Sequence, residues 1–362
     1  MGHNFIFSGL DIGSSTIKIL ICRKGNFSNF EILGLATVPS FGVRRGVVVD
    51  INQVAKLISA CKEKVEEISQ TKVEKAVVNV GGSHIFLTPS RGVVAVSRAD
   101  QKISNEDVER VLQAAQTFSL PLNKEILDVF PKEFIVDEER GIKEVVGMSG
   151  VRLEVEILAL GAFSPYLKNL IEAVLNSGIQ IEDLVCSPLA SARSVLSPQE
   201  MELGVALIDI GGGTTGLSVF EEGSLLHLAI FPVGSAHITN DIAIVLKSDI
   251  DTAEKIKREY GTLLYRGQDK KEKIEILGQD NPLIFSSRLL ARVIEARVSE
   301  IFDLIQKELK KISRAGLLPA GVVICGGGAK LPKIVDFAKK ELKLPARIGL
   351  PTQISGLEED PS

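Results

Sequence analysis

The sequence predicts an α/β fold of two lobes built on one duplicated unit, with a further subdomain inserted in the first lobe. Three observations carry this. "LDIGSSTIKIL" (10–20) and "IDIGGGTTGLSVF" (208–220) share one pattern: an apolar strand, an aspartate, Ile-Gly, small polar residues and a second strand. Strand-like runs and helical stripes surround each copy, as in a mixed sheet covered by helices. Residues 83–164 break the pattern, with more polar strands and no glycine runs.

The elements follow in order. "NFIFSGLDIG" and "TIKILICRKGNFSNFEILGLAT" read as strand, turn, strand. Ile51, Val54, Leu57, Ile58, Cys61, Val65 and Ile68 then line one face of a helix. "EKAVVNVGG" is a short buried strand ending in glycines. In the inserted stretch, "HIFLTPSRGVVAVSR", "ILDVFPKEFIVDEERG" and "RLEVEILAL" read as strands, and Ser104 with Asp107 caps a helix. A helix begins at Ser164, with Pro165 suited to its first turn, and stops at Gly178. "IEDLVC" is a strand, and "SPLASARSVL" a helix with Ser187 as its N-cap. Residues 203–231 read as three strands with two tight turns, and 236–300 as mainly helical. "AGVVICGGGAKLPKIVDFAKKEL" reads as strand, glycine turn and helix, and the tail "GLEEDPS" is expected to fray.

Composition removes several functions. The 362 residues are 45% apolar and 24% charged, with a net charge of −4 and no polybasic run, so nucleic acid is not the expected partner. No apolar stretch is long enough to span a bilayer, and no signal peptide is apparent. Cys22, Cys61, Cys186 and Cys325 lie in or beside apolar runs without metal spacing, and read as buried free thiols of a reducing cytoplasm. There is no zinc motif, Walker A loop or nucleophile elbow.

The repeated tips carry the chemistry. Gly211, Gly213 and Gly216 form a literal G-x-G-x-x-G, but strands rather than a helix follow, so the dinucleotide reading fails on context. A tight turn can still point consecutive amides at an anion. Ser14, Ser15, Thr214 and Thr215 add hydroxyl donors, and Lys18 adds charge. Asp11 and Asp209 end the two leading strands, where they could face a magnesium ion, which keeps waters and takes one or two carboxylates. One tip alone reads more simply as a hairpin turn. Two matching tips and a third glycine run at 326–328 favour a nucleotide clamped from both sides.

The two tips, the connector "EDLVCSPLASA" and "VVICGGGAKLPKI" resemble, in order, the phosphate, connector and adenosine motifs of the actin, sugar kinase and DnaK-type ATPase superfamily, whose fold is actin-like and ribonuclease H-like. "SRGVVAVSR", "ISNEDVERVLQAA", "FPKEFIVDEERGIKEVVGMSGVRLE", "FPVGSAHITNDIA" and "RLLARVIEARVSEIF" narrow the resemblance to the FtsA family, the actin-like cell-division proteins of bacteria.

That resemblance implies subdomain 1A over 1–83 and 165–186, and an FtsA-type subdomain 1C over 84–164. It implies 2A over 187–235, 2B over 236–300, and the rest of 2A with the start of a return to 1A over 301–362. It implies ATP and Mg between the lobes. Asp11, Gly13, Ser14, Ser15 and Lys18 match the first phosphate motif, and Asp209, Gly211, Gly212, Gly213, Thr214 and Thr215 the second. Gly326, Gly327, Gly328 and Ala329 match the adenosine motif, while Glu254 and Lys257 align with a ribose and adenine pair. Against Glu254 stands a plainer reading, a helix cap formed with Asp251. Ser187 occupies the place where the superfamily carries an acidic residue or a glutamine near the attacking water. A serine hydroxyl is a poor general base, so no catalytic residue is assigned and at most slow ATP hydrolysis is expected.

The resemblance also implies partners: the C-terminal tail of FtsZ on subdomain 2B, other copies of the chain in filaments, and further division proteins on 1C. Membrane contact, on the inner face at the division site, is expected only through a C-terminal amphipathic helix that this sequence does not contain. Arg288, Arg292 and Arg297 are candidates for an acidic tail, and Arg288 or Arg297 is expected to be used, since those two do not share one face of a straight helix. Leu289, Val293, Val298 and Ile301 are expected to pack inward. A PilM-type pilus adaptor, which binds a short peptide and normally lacks a membrane helix, is the first rival; a sugar or acetate kinase is the second.

Overall fold

The computed structural model describes residues 5–25, 30–118, 120–265, 273–277, 282–351 and 354–355. The "GLEEDPS" tail lies outside them.

The first lobe opens with β1 (Ile6–Ile12), β2 (Thr16–Lys24) and β3 (Phe30–Pro39). A small hairpin follows, β4 (Val43–Arg44) and β5 (Val47–Val48), then α1 (Ile51–Ser69) and β6 (Lys75–Val80). Alternation in β1 sends Leu10 and Ile12 into the core and leaves Asp11 on the opposite face. Asp50 starts α1 by accepting from the Gln53 N–H at 3.0 Å. Val54, Ile58, Cys61 and Val65 are fully buried on the sheet, each of the larger ones contributing about 1.5–3 kcal/mol.

The insert follows as β7 (Phe86–Ala95), α2 (Asn105–Gln116), β8 (Lys124–Val136), β9 (Glu139–Ile142) and β10 (Arg152–Phe163). Its sheet runs β7-β10-β8-β9. The expected cap is present: the Ser104 hydroxyl accepts from the Asp107 N–H, and the Asp107 carboxylate accepts from the Ser104 N–H. Helix α2 settles directly on the strands, because a Cβ at Gly92 would stand 2.3 Å from the Val111 carbonyl oxygen. Strands β7 and β8 also pack toward the second lobe, and Lys143 reaches the backbone carbonyl and the carboxylate of Glu222 there.

The chain returns through α3 (Ser164–Asn176), β11 (Gln180–Cys186), α4 (Ser187–Val195) and α5 (Pro198–Leu203). The second lobe comprises β12 (Val205–Ile210), β13 (Thr215–Glu221), β14 (Ser224–Phe231), α6 (Ser235–Leu246), α7 (Ile250–Tyr260), β15 (Lys273–Leu277), β16 (Pro282–Ser286), α8 (Ser287–Lys311), β17 (Val322–Cys325), α9 (Ile334–Leu342) and β18 (Ala346–Ile348). Strand β19 (Ile354–Ser355) then pairs with β3 of the first lobe. The β15–β16 hairpin interrupts the stretch expected to be mainly helical.

The duplication is explicit in the sheets. The first runs β11-β6-β1-β2-β3-β19, the second β14-β13-β12-β17-β18. In each, two antiparallel hairpins are extended by two parallel strands beside the leading strand. Strands β1 and β12 are therefore equivalent, and so are β6 and β17. Each leading strand lies inside its sheet and ends in the cleft between the lobes.

Helix α8 corrects one expectation. Leu290, Ile294, Val298, Ile301 and Ile305 face the core, while Leu289 is 43% exposed. Leu290 takes the inward position, and one residue is about 100° of helix rotation.

Candidate functional site

The two hairpin tips meet. A Cβ on Gly212 would stand 2.0 Å from Ser15 Oγ, and one on Gly213 would stand 2.5 Å from Ser14 Oγ. Each tip is closed by the same bond, Gly13 N–H to Thr16 O at 3.0 Å and Gly211 N–H to Thr214 O at 2.9 Å. Among the described residues, the backbone amides of Ser14, Ser15, Gly212 and Gly213 have no acceptor. Amides left in this state beside one another form a surface suited to anionic oxygens.

Asp11 lies opposite Lys18 in the hairpin register, and Asp209 opposite Gly216. Water in the cleft reaches the Asp11 carboxyl, yet protein encloses it on most sides. That enclosure pushes it up to about 6, with Lys18 pulling down and Asp209 pushing further up. Asp209 is raised as well, by burial first, against the Ser191 hydrogen bond and Lys18. Two enclosed carboxyl groups, with the Asp209 charge opposing ionisation of Asp11, fit an oxygen-bound cation. Among the described residues, no group of three or more His, Cys, Asp or Glu side chains forms a ready metal cage.

The third glycine run packs on the second aspartate. Gly326 has φ +79°, and a Cβ there would stand 2.4 Å from Asp209 Oδ1. A Cβ on Gly327 would meet nothing within 4 Å, so that side faces open space.

Helix α6 links the second tip to Glu254 and Lys257. The Ser235 and Ala236 amides donate to the carbonyls of Gly211 and Gly212 at 2.8 and 2.9 Å. Lys257 Nζ donates to Ser235 O at 3.3 Å and to Thr239 Oγ1 at 2.8 Å, and the Thr239 hydroxyl donates to Glu254 at 2.5 Å. Glu254 and Lys257 pair at 2.6 Å. Burial pushes the Glu254 carboxyl up, but the Lys257 and Thr239 hydrogen bonds outweigh it and leave the carboxyl below its ordinary range. The competing cap does not form: Asp249 caps α7 by accepting from Thr252 N–H at 2.8 Å. Glu254 therefore faces α6 rather than closing its own helix.

Ser187 is not an N-cap. It is the first residue of α4, whose cap position is Cys186. Its hydroxyl donates to Val80 O at 3.2 Å and accepts from Asn79 Nδ2 at 3.2 Å. With its proton held by a carbonyl, it presents only a lone pair to the cleft. Thr215 also departs from expectation. It is fully buried, and its hydroxyl is directed at Val233 O at 2.8 Å, away from the tip.

Three side chains escape the sequence reading. Asn79 accepts from the Ile12 N–H at 2.7 Å and donates to Asp11 at 2.6 Å; its only signal is a carboxamide inside an apolar strand. Ser191 donates to Asp209 at 2.7 Å, one turn into α4. Thr239 bridges Glu254 and Lys257. Their contacts depend on elements distant in sequence.

The arginines sit apart from this cleft, on α8. Arg297 makes a two-point pair with Asp241 of α6, at 2.7 and 2.9 Å, and also contacts Glu300. Arg288 is exposed. A groove between α6 and α8 is lined by Asp241, Ile244, Val245, Val293, Arg297 and Glu300.

The fold is shared with other actin-like proteins. A PilM–PilN type IV pilus biogenesis complex superposes with a TM-score of 0.68 at 19% identity, covering 96% of this chain and 90% of that one. MreB 5 of Spiroplasma citri bound to AMPPNP gives 0.58 at 16%, covering 96% and 92%. The family model "Cell division protein FtsA" matches residues 206–362, and "SHS2 domain inserted in FTSA" matches 82–160. The cell division protein FtsA of Pseudomonas aeruginosa is 35% identical over 353 residues, covering 97% of this chain and 84% of that protein. That of Bacillus subtilis is 37% identical, covering 98% and 80%, and that of Escherichia coli 31%, covering 97% and 85%. With the duplicated actin-like sheets, the inserted subdomain and these matches along nearly its whole length, the chain belongs to the FtsA family of cell division proteins.

Proposed function

We propose that this chain binds Mg-ATP between its lobes, assembles with copies of itself, and links the FtsZ ring to the membrane and to later division proteins. The observation that carries the nucleotide reading is the meeting of the two tips, with amides on both sides that have no acceptor among the described residues and an aspartate at the end of each leading strand. Magnesium would supply charge neutralisation at the phosphates, held by Asp11 and Asp209 through water. Gly13, Ser14, Ser15 and Lys18 would hold phosphate from one lobe, and Gly211 to Thr214 from the other. Thr215 supports the second tip from below. Gly326 to Ala329 would form the wall for the adenosine, with Glu254 and Lys257 at its ribose end.

The Ser187 hydroxyl, bound to Val80 O, can orient a water but, among the described residues, makes no hydrogen bond to a carboxylate that could take a proton. This supports nucleotide held with slow turnover, acting as a switch for assembly. The groove beside Arg288 and Arg297 is the proposed seat of an acidic FtsZ tail. Its exposed Ile244 and Val245 supply apolar contact, and the insert is the proposed surface for other division proteins. Among the described residues no helix is long and apolar enough to cross a membrane; the membrane link is proposed through a C-terminal amphipathic helix of the family's kind.

Isothermal titration with Mg-ATP, followed by sedimentation on lipid with and without nucleotide, tests the first half. Titration with an FtsZ-tail peptide against a pilus-adaptor peptide tests the second. Tight binding of the pilus peptide alone would overturn the division reading.

A further inference from the structure

The β4–β5 turn forms a third element of the cleft. It contains Arg45 and Gly46, with φ +51° and +76°. Two consecutive positive φ values mark a turn in which Asn-Gly is preferred, and a long side chain at the first position is uncommon. The turn is wedged tightly. Gly46 N–H donates to Ser14 Oγ at 3.0 Å, and a Cβ on Gly46 would stand 2.7 Å from the Gly82 nitrogen. A Cβ on Gly213 would stand 3.3 Å from the Arg45 Cα. The Arg45–Gly46 backbone thus lies against both hairpin tips, Gly46 on the first and Arg45 on the second. Its side chain is exposed and, among the described residues, makes no hydrogen bond or ion pair. Strained backbone held by its surroundings at a functional cleft is a reason to ask what the side chain does.

Charge gives the answer a direction. Asp11 and Asp209 contribute two carboxylates near the tips, and Lys18 is the cation that acts on both. A triphosphate brings more negative charge than one magnesium ion cancels. A guanidinium carried at the junction of the tips would be placed for the phosphate farthest from an adenosine at Gly326 to Gly328, and a guanidinium can bind phosphate oxygens at two points.

We propose that Arg45 binds the terminal phosphate of a bound nucleoside triphosphate, so that the β4–β5 turn reports whether that phosphate is present. This rests on the nucleotide reading above. The test compares Mg-ATP and Mg-ADP by isothermal titration on wild-type protein, Arg45→Gly and Arg45→Lys. Glycine suits the positive φ at this position, so Arg45→Gly is expected to keep or raise the melting temperature. It is expected to weaken Mg-ATP about tenfold or more while Mg-ADP changes less than about twofold. Arg45→Lys is expected to recover part of the loss. If Arg45→Gly leaves both affinities unchanged, or lowers both equally, the proposal is wrong and the nucleotide reading stands. If wild-type protein binds neither nucleotide, both are wrong.

Discussion

Asp11 and Ser187 share one donor: the Asn79 amide nitrogen lies 2.6 Å from Asp11 Oδ1 and 3.2 Å from Ser187 Oγ. Its oxygen accepts from the Ile12 N–H. One carboxamide therefore sets the aspartate proposed for magnesium and the hydroxyl proposed for water, and anchors the end of the leading strand.

Removing it has two readable effects. Asn79→Ala leaves the Ile12 N–H without an acceptor, which costs about 1–3 kcal/mol. It also frees the Asp11 carboxylate to rotate. Urea unfolding is expected to show that loss, and titration a weaker Mg-ATP affinity. Asn79→Asp is expected to be worse for binding than Asn79→Ala, because it sets a third carboxylate beside Asp11 and Asp209. Equal affinity in the two variants would show that Asn79 acts only on stability.

The aspartates set a pH dependence. Asp11 is pushed up from its ordinary 3.8 to about 6, and Asp209 is raised as well. A carboxyl that holds its proton more tightly when folded stabilises the ligand-free chain most at low pH. For Asp11 that contribution fades as pH rises between about 4 and 6, above which its carboxylate is ionised inside its enclosure and beside Asp209. Asp11→Asn is thus expected to raise the ligand-free melting temperature relative to wild type at pH 7.5, with no gain near pH 4. The same variant is expected to lose most of the upward shift that Mg-ATP gives wild type. Thermal scans at both pH values, with and without Mg-ATP, check the two signs together.

The duplicated frame is legible in the sequence because one local pattern, an aspartate before a small polar tip between two strands, occurs twice and predicts equivalent sheets. The insert is legible as a change of texture, and the Ser104 cap as a local bond. What the sequence conceals depends on distant partners. Ser187 reads as an N-cap until Val80 and Asn79 arrive beside it. Glu254 reads as a cap residue until Thr239 of the preceding helix takes its carboxylate. Thr215 reads as a tip donor, but it opens a strand buried from Thr215 to Phe220 and its hydroxyl is taken by Val233 O. Arg45 and Gly46 form a turn whose sequence says nothing of the two tips it touches.

The tips leave no room for side chains between them. Gly213→Ala places a methyl group 2.5 Å from Ser14 Oγ and 2.8 Å from its Cβ, so the lobes must separate or Ser14 must turn away. Because the two tips belong to different sheets, each lobe can keep its fold while the cleft opens. The expected result is a small change in melting temperature, within about 1 kcal/mol of stability, with Mg-ATP affinity lowered about tenfold or more. Gly213→Ala combined with Ser14→Gly removes the hydroxyl that the methyl meets and is expected to recover closure, read as a smaller radius of gyration in solution scattering with Mg-ATP.

Arg297 and Arg288 are expected to behave differently, although both lie on α8, one of the two helices proposed to hold an acidic tail. Arg297 is 25% exposed and already satisfied by Asp241 and Glu300. Arg297→Ala leaves Asp241, itself 25% exposed, without its two-point partner across α6 and α8, at a cost of about 1–3 kcal/mol. Arg288 is exposed, so its charge is available to a peptide and its removal costs the fold little. Arg288→Glu is therefore expected to weaken an acidic tail peptide about tenfold with an unchanged urea midpoint. For Arg297→Ala the urea midpoint is expected to fall, and peptide affinity to change mainly through the loosened groove. Salt separates the two roles: the Arg288 effect is expected to shrink at high ionic strength, where exposed charges are screened, and the Arg297 stability loss to persist. A loss of peptide affinity in Arg297→Ala without any loss of stability would instead assign Arg297 to direct contact with the tail.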